Sequence, residues 1–112
     1  MPAAARADDR LDQVFHALAN RTRRALLRRL ATGTAKVGDL AAPFGMSLNA
    51  VSKHILVLED AGLVRRTVLG REHICALNAG PMATAEQWLD FYSGYWNNKL
   101  DRLAAFVEKD SK

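Results

Sequence analysis

The sequence predicts a mainly α-helical fold with about five helices and one small β-hairpin. Apolar residues recur at the spacing of amphipathic helices through most of the 112 residues. A β-branched, alternating run at residues 63–69 is followed by Gly70 and a second run at residues 73–77, which is typical of a hairpin. The last stretch of the chain carries six of the eight aromatic residues at helical spacing. These three observations fix the fold class.

Composition indicates one folded domain with an anionic partner. The chain is 49% hydrophobic and 25% charged, as in ordinary globular proteins. Its net charge of +4 favours nucleic acid or another anion as a partner. The positive charge is concentrated, because residues 21–36 contain six cations and no acid.

The cysteine count and the hydropathy of the chain indicate the cellular compartment. The single cysteine cannot form an intrachain disulfide and suits a reducing cytoplasm. The first residues lack the apolar core of a signal peptide. No stretch approaches the ~18 apolar residues of a membrane span. We therefore expect a soluble, cytoplasmic protein with no membrane partner.

The first half of the chain predicts three helices. Residues 1–8 are expected to form a disordered tail, and residues 9–109 a single domain. Asp8 or Asp9 is expected to cap a first helix that ends near Ala19. A second helix follows at residues 22–31, with its arginines on a solvated face. A third, at residues 37–44, should be short or distorted because Pro43 removes a backbone donor.

The fourth helix, residues 47–60, has clear end signals. Ser47 is a good N-cap, and Gly62 stands where a left-handed stop residue belongs. Four apolar residues at helical spacing predict one buried stripe: Leu48, Val51, Ile55 and Leu58.

The opposite face of this helix predicts DNA reading. Four residues would face bases in the major groove: Asn49, Ala50, Ser52 and Lys53. Asparagine pairs with adenine, serine with several base edges, and alanine touches a thymine methyl group. An ordinary surface helix is the alternative. The glycine-bearing turn at residues 45–47, between two helices, favours a helix-turn-helix.

The hairpin at residues 64–77 is basic and follows this helix directly, which predicts the wing of a winged helix-turn-helix. A solvated surface hairpin would need no such arginine bias. Six residues are predicted to hold the DNA backbone: Lys36, Ser47, His54, Arg65, Arg66 and Arg71. For His54, a helix-supporting role is an equal alternative.

The final helix, expected at residues 83–109, has an apolar stripe too wide for a small domain to cover. A second copy of the chain is the expected cover, with help from the first helix. The alternative is a monomeric core helix. The predicted dimer contacts are Phe15, Trp88, Leu89, Tyr92, Tyr95, Trp96, Leu100 and Leu103.

Over residues 11–107 the chain resembles the ArsR/SmtB family of dimeric bacterial transcriptional repressors. The motifs that carry the likeness are residues 17–27, 37–41 and 47–64, with Gly70-Arg71 in the hairpin. The resemblance implies a homodimer, formed through the first and last helices, that binds an inverted-repeat operator. Relatives commonly carry proline where this chain has Asn49, so this position is expected to alter operator preference.

The family's sensing sites do not carry over to this chain. Metal-sensing members place cysteines on the third helix, or Asp, His and Glu ligands on the last, and neither set is present here. We therefore expect no metal and no cofactor. A redox or metal response through Cys75 and His73 remains as an alternative, and an unidentified small-molecule effector stays open.

The sequence bears on two other classes of function. No phosphate-binding glycine loop, nucleophile elbow or acid–base pair indicates an enzyme. A winged-helix module that binds proteins instead of DNA is the remaining alternative.

Overall fold

A computed structural model describes residues 3–110 and confirms the mainly helical fold with five helices. The helices are α1 (Ala3–Leu18), α2 (Arg21–Leu30), α3 (Val37–Ala41), α4 (Leu48–Asp60) and α5 (Gly80–Asp110). The strands are β1 (Ala35–Lys36), β2 (Val64–Leu69) and β3 (Glu72–Leu77). A single 3₁₀ turn at Ala42–Phe44 follows α3 and contains Pro43, as the sequence predicted for this helix end.

The ends of α4 form as predicted. The Ser47 hydroxyl accepts a hydrogen bond of 3.1 Å from the backbone N–H of Ala50. At the other end Gly62 adopts a φ of +76°, a left-handed conformation that glycine takes at low cost. These two residues set the length and direction of the helix that carries the predicted base-reading face.

The start of α1 differs from the prediction. The helix begins at Ala3, so residues 3–8 are helical and the expected start at Asp8 or Asp9 is too late. Alanine has the highest helix propensity, and the run at residues 3–5 extends the helix without needing a capping aspartate. The rest of the predicted tail, residues 1 and 2, lies outside the described residues.

The core lies between α1, α2, α4 and the sheet. The large side chains with essentially no solvent exposure are Val14, Leu26, Leu40, Val51, Ile55, Leu58, Leu63 and Cys75. Three of the four residues predicted as the buried stripe of α4 are among them. Leu48 is the exception: it is 56% exposed, so its assignment to the stripe was wrong. As the first residue of the helix, it lies beyond the edge of the core.

The sheet has three antiparallel strands in the order β1-β3-β2, one more than predicted. The extra strand β1 pairs Ala35 with Cys75 and Lys36 with Ile74. A two-residue strand is too short to show a periodicity, so no sequence pattern could identify it. Its pairing attaches the middle of β3 to the helical body.

Arg23 is buried, which contradicts the predicted solvated face for the arginines of α2. Only 8% of its surface is exposed. Its Nε and Nη2 donate to the carbonyl oxygens of Ala17 and His16, both at 2.8 Å. These carbonyls lie in the last turn of α1, where the regular helical donors run out; the carbonyl of His16 also accepts from the backbone N–H of Ala19 at 3.2 Å. Arg23 thus caps α1 and holds it against α2.

The long helix α5 packs on the rest of the chain only near its beginning. There the Phe15 ring meets Trp88 edge-on, with ring centroids 5.6 Å apart, and Trp88 contacts Tyr92. Ala85 is its only residue in the core, among those whose side chains are described. None of the helices within residues 3–110 combines the length and apolarity needed to cross a membrane.

Candidate nucleic-acid interface

The outward face of α4 carries the four predicted base-reading residues. Asn49 and Lys53 are exposed, and Ala50 and Ser52 are half-buried beside them. The opposite side of the helix is held in the core by Val51, Ile55 and Leu58. Because these three buried side chains hold α4 in place over about two turns, its polar face has a fixed direction relative to the body.

Two leucines on this helix are exposed and were not assigned to the site. Leu48 is 56% exposed and Leu56 is 52% exposed. Leu56 lies seven residues after Asn49, so the helical period places the two on one face. That spacing could have identified Leu56 from the sequence. For Leu48, apolarity suggested burial, and only the position of the helix relative to the core shows otherwise.

A cleft of about 370 Å³ separates the start of α4 from the hairpin. Leu48 and Ser52 line it on the helix side, and Arg66, Arg71 and His73 on the hairpin side. Lys36 closes it at the start of α3. The fold therefore brings residues from three distant parts of the chain to one groove beside the exposed face of α4. Its three cations outnumber the two carboxylates that also line it, those of Asp39 and Glu72.

The cations of this groove differ in how firmly the protein holds them. Lys36 donates a 2.8 Å hydrogen bond to Glu72, and both side chains are 52% exposed. The hydrogen bond and the charge of Glu72 raise the pKa of Lys36 above its ordinary value. Since exposed pairs contribute little, a phosphate could replace Glu72 at low cost. Arg71 makes no hydrogen bond or ion pair with any other described residue and is fully available.

Arg65 and Arg66 point to opposite faces of β2, as successive strand residues must. Arg65 is exposed. Arg66 is half-buried and its Nε donates to Oε1 of Glu59 at 3.0 Å. Because the guanidinium of Arg66 is already engaged within the protein, Arg65 is the better placed of the two for a phosphate, and both contacts stay predictions.

His54 lies on the side of α4 that faces α2. Its Nδ1 is 3.4 Å from Nη1 of Arg23, and the contact is partly buried. This arrangement supports the helix-packing alternative, and a contact of His54 with the DNA backbone stays a prediction.

The alternative of a redox or metal response finds little geometric support. Cys75 is completely buried, and burial raises the pKa of its thiol, which keeps it protonated and unreactive. His73, two residues earlier, is exposed. Over the described part of the chain, no three His, Cys, Asp or Glu residues converge as a metal site would require.

The predicted dimer residues form an exposed apolar surface along α5. Tyr92, Leu89, Trp96 and Trp88 are 41–46% exposed, and Leu100, Leu103 and Tyr95 58–65%. Phe91, Phe106 and Val107 extend this surface, with Phe91 82% exposed. Phe15, the remaining predicted contact, is half-buried against Trp88. An apolar area of this extent is unusual on a monomer and indicates an interaction surface.

Comparison with known proteins places this arrangement in a family. A profile described as a helix-turn-helix domain matches residues 18–67. The chain is 34% identical to the HTH-type transcriptional regulator Rv2034 of Mycobacterium tuberculosis, over 88% of this chain and 90% of the relative. It is 28% identical to the transcriptional repressor SdpR of Bacillus subtilis, over 80% of this chain and all of the relative.

Solved structures show the same fold. The crystal structure of an ArsR family transcriptional regulator is 42% identical, with a TM-score of 0.75 over 80% of this chain and 93% of that one. The solution structure of the homodimeric winged helix-turn-helix DNA-binding domain Mb0332 of Mycobacterium bovis is 25% identical, with a TM-score of 0.66 over 91% and 92% of the two chains. The chain belongs to the ArsR family of winged helix-turn-helix transcriptional regulators.

Proposed function

We propose that this protein is a homodimeric repressor that binds an inverted-repeat DNA operator, with α4 in the major groove and the hairpin along the backbone. The observation that carries this proposal is the outward polar face of α4, held rigidly beside a basic groove. A helix fits the major groove, where each base pair presents a distinct pattern of donors and acceptors.

Base reading is assigned to Asn49, Ala50, Ser52 and Lys53. Leu48 and Leu56 add exposed apolar surface to the same helix. Because the C5-methyl of thymine is the apolar group of the major groove, these leucines favour A·T pairs at the positions they reach.

Backbone contacts are assigned to Lys36, Ser47, Arg65 and Arg71. The Ser47 oxygen accepts from the Ala50 N–H, and its hydroxyl hydrogen remains able to donate to a phosphate. Arg71 at the hairpin turn is exposed and without a protein partner among the described residues. Such contacts provide affinity on any sequence and set the register of the helix on the duplex.

A second copy of the chain is the proposed cover of the apolar face of α5. Its exposed aromatic and leucine side chains have the composition of a dimer interface core. The homodimeric state named for the Mycobacterium bovis relative supports this assignment. With two-fold symmetry, the two α4 helices would enter successive major grooves ~34–36 Å apart, which requires an inverted repeat.

Selection of bound duplexes from a random DNA library by the purified protein, with and without zinc, tests the proposal. We expect an enriched inverted repeat that is the same under both conditions. Enrichment of a single half-site would overturn the dimeric geometry. If no duplex is retained at any salt concentration, the result would favour the alternative of a protein-binding module.

Asn49→Ala tests the base-reading assignment on the selected operator. A lost bidentate contact costs about 1–3 kcal/mol of discrimination, so affinity for the operator should fall roughly 5- to 150-fold. Affinity for a random duplex should stay nearly constant, because asparagine carries no charge. An equal loss on both duplexes would contradict a role of Asn49 in specificity.

A further inference from the structure

We propose that Arg66 is a positioning residue whose ion pair with Glu59 fixes the hairpin against the recognition helix α4, and so sets where the hairpin meets the DNA backbone. This inference rests on the DNA-binding function proposed above. It assigns Arg66 to a role inside the protein, in contrast to the phosphate contact that its sequence context predicts.

The guanidinium of Arg66 is shared between two elements. Its Nε and Nη2 both donate to Oε1 of Glu59 in the last turn of α4, at 3.0 and 2.5 Å. Its Nη1 lies 3.4 Å from Nδ1 of His73 on the neighbouring strand β3. All three nitrogens are thus directed to partners within the protein.

The Arg66–Glu59 ion pair is more buried than the Lys36–Glu72 ion pair. The side chains of Arg66 and Glu59 are 20% and 26% exposed, against 52% for both Lys36 and Glu72. An arginine that is largely shielded from water and donates twice to one carboxylate oxygen is held more firmly than an exposed lysine pair. Removing one partner would leave the other charge half-buried without compensation. We therefore expect Arg66 to keep Glu59 when DNA binds, whereas Lys36 exchanges Glu72 for a phosphate.

The pair acts at the point where the hairpin leaves the body. Strand β1 pairs with β3 only at Cys75 and Ile74, and Arg66 is the β2 residue opposite Cys75. Beyond this level the two outer pairs, Val68 with His73 and Leu69 with Glu72, belong to a two-stranded ribbon. Such a ribbon is only marginally stable alone. The Arg66–Glu59 pair is therefore placed to set the angle of the ribbon whose turn carries Arg71.

Glu59→Gln tests the proposal, because a purely electrostatic role and a positioning role of Glu59 predict opposite changes in DNA affinity. Removing an acid from a DNA-binding surface should tighten binding if charge alone matters. If the pair positions the hairpin, affinity for the selected operator should instead fall, on the order of fivefold to tenfold. Asp60→Asn is the matched control, because it removes the same charge one residue later from an exposed side chain without a partner among the described residues.

Arg66→Met completes the experiment, with affinity measured by fluorescence anisotropy over a series of salt concentrations. A positioning residue predicts a loss like that of Glu59→Gln, an unchanged salt slope and little further loss in the double variant. A phosphate contact predicts a slope lowered by about one unit. That result, together with tighter binding by Glu59→Gln, would overturn the proposal. The exchanged pair, Glu59→Arg with Arg66→Glu, should bind better than Arg66→Glu alone.

Amide hydrogen exchange without DNA separates this inference from the proposed function. Residues 67–73 should exchange faster in Glu59→Gln than in wild type or Asp60→Asn, while the amides of α4 stay protected. Equal exchange in all three proteins would overturn the positioning role. Failure of the wild type to bind any duplex would refute DNA binding, and the exchange comparison would still decide whether the pair holds the hairpin.

Discussion

The two helices central to the proposed function, α4 and α5, differ in whether their large apolar side chains are buried or exposed. In α4, Val51, Ile55 and Leu58 are completely buried and the polar side faces outward. In α5, which is more than twice as long, the large aromatic and leucine side chains are mostly exposed. The apolar side of α4 is covered by its own chain, whereas most of the apolar side of α5 is left exposed.

The difference indicates what each helix binds. A helix whose apolar side is already covered presents hydrogen-bonding groups, and those suit the edges of base pairs. A helix that leaves aromatic rings in water gains most from covering them with another apolar surface. The surface proposed for DNA recognition and the surface proposed for self-association therefore lie on different helices.

The largest expected effect is on stability, from removing a buried side chain of α4. Ile55→Ala should lower the free energy of unfolding by about 2–5 kcal/mol, because it leaves a cavity in a closely packed core. Leu56→Ala, one residue later and half exposed, should change it by less than about 0.5 kcal/mol. Urea unfolding at one fixed protein concentration measures both. Similar losses would mean that α4 is not oriented as described.

A charge placed on the apolar face of α5 should break self-association instead. Trp96→Lys would bury an unpaired cation in the proposed interface, which costs several kcal/mol and should raise the dimer dissociation constant at least about a hundredfold. Sedimentation equilibrium measures this constant. Asn98→Lys adds the same charge at a neighbouring exposed polar position and should have little effect. An undisturbed dimer in Trp96→Lys would place the interface elsewhere.

Removing the hairpin cation should have a smaller effect, spread over all sequences. Arg71→Gln should weaken operator and random duplexes alike and lower the salt slope by about one unit per lost phosphate contact. Arg28→Gln, an exposed arginine of α2 outside the groove, is the control. Equal slopes for both variants would remove Arg71 from the interface.

The smallest effect concerns Cys75 in the covered interior. Burial raises the pKa of its thiol, so the folded state favours the protonated form. This preference contributes to the free energy of unfolding. The contribution is fully present below the ordinary thiol pKa of 9.0, and it is lost as the pH rises through the raised pKa of the folded state. Urea unfolding at several alkaline pH values should show the decline, and the decline should be smaller in Cys75→Ala, where other groups such as Lys36 still contribute. Alkylation of the native thiol should be slow and accelerate on unfolding.

Sequence reasoning predicted the helices and the hairpin because their signals are local. The Ser47 cap, the Gly62 stop and the alternation of residues 64–77 depend only on neighbouring residues. Strand β1 was missed because two residues carry no periodicity. The start of α1 differs from the prediction because the helix propensity of the alanine run extends the helix beyond the capping signal of Asp8 and Asp9.

The candidate site was only partly predictable for a similar reason. Asn49, Ser52 and Lys53 share a helix face by period alone. The partners of Arg66, His54 and Arg23 come from other elements, and no spacing rule connects them.

The sequence by itself determined the fold class, the recognition helix and the excess of apolar surface on the last helix, since propensity, periodicity and charge act over short stretches. Only the tertiary structure decided which of the side chains proposed to contact DNA already have partners within the protein. Arg66 and His54 look like surface residues in the sequence, but packing places Glu59 and Arg23 beside them. Leu48 looks like a core residue, but it lies beyond the edge of the core. Such outcomes depend on which distant groups the fold brings within hydrogen-bond distance, and that is a property of the whole chain.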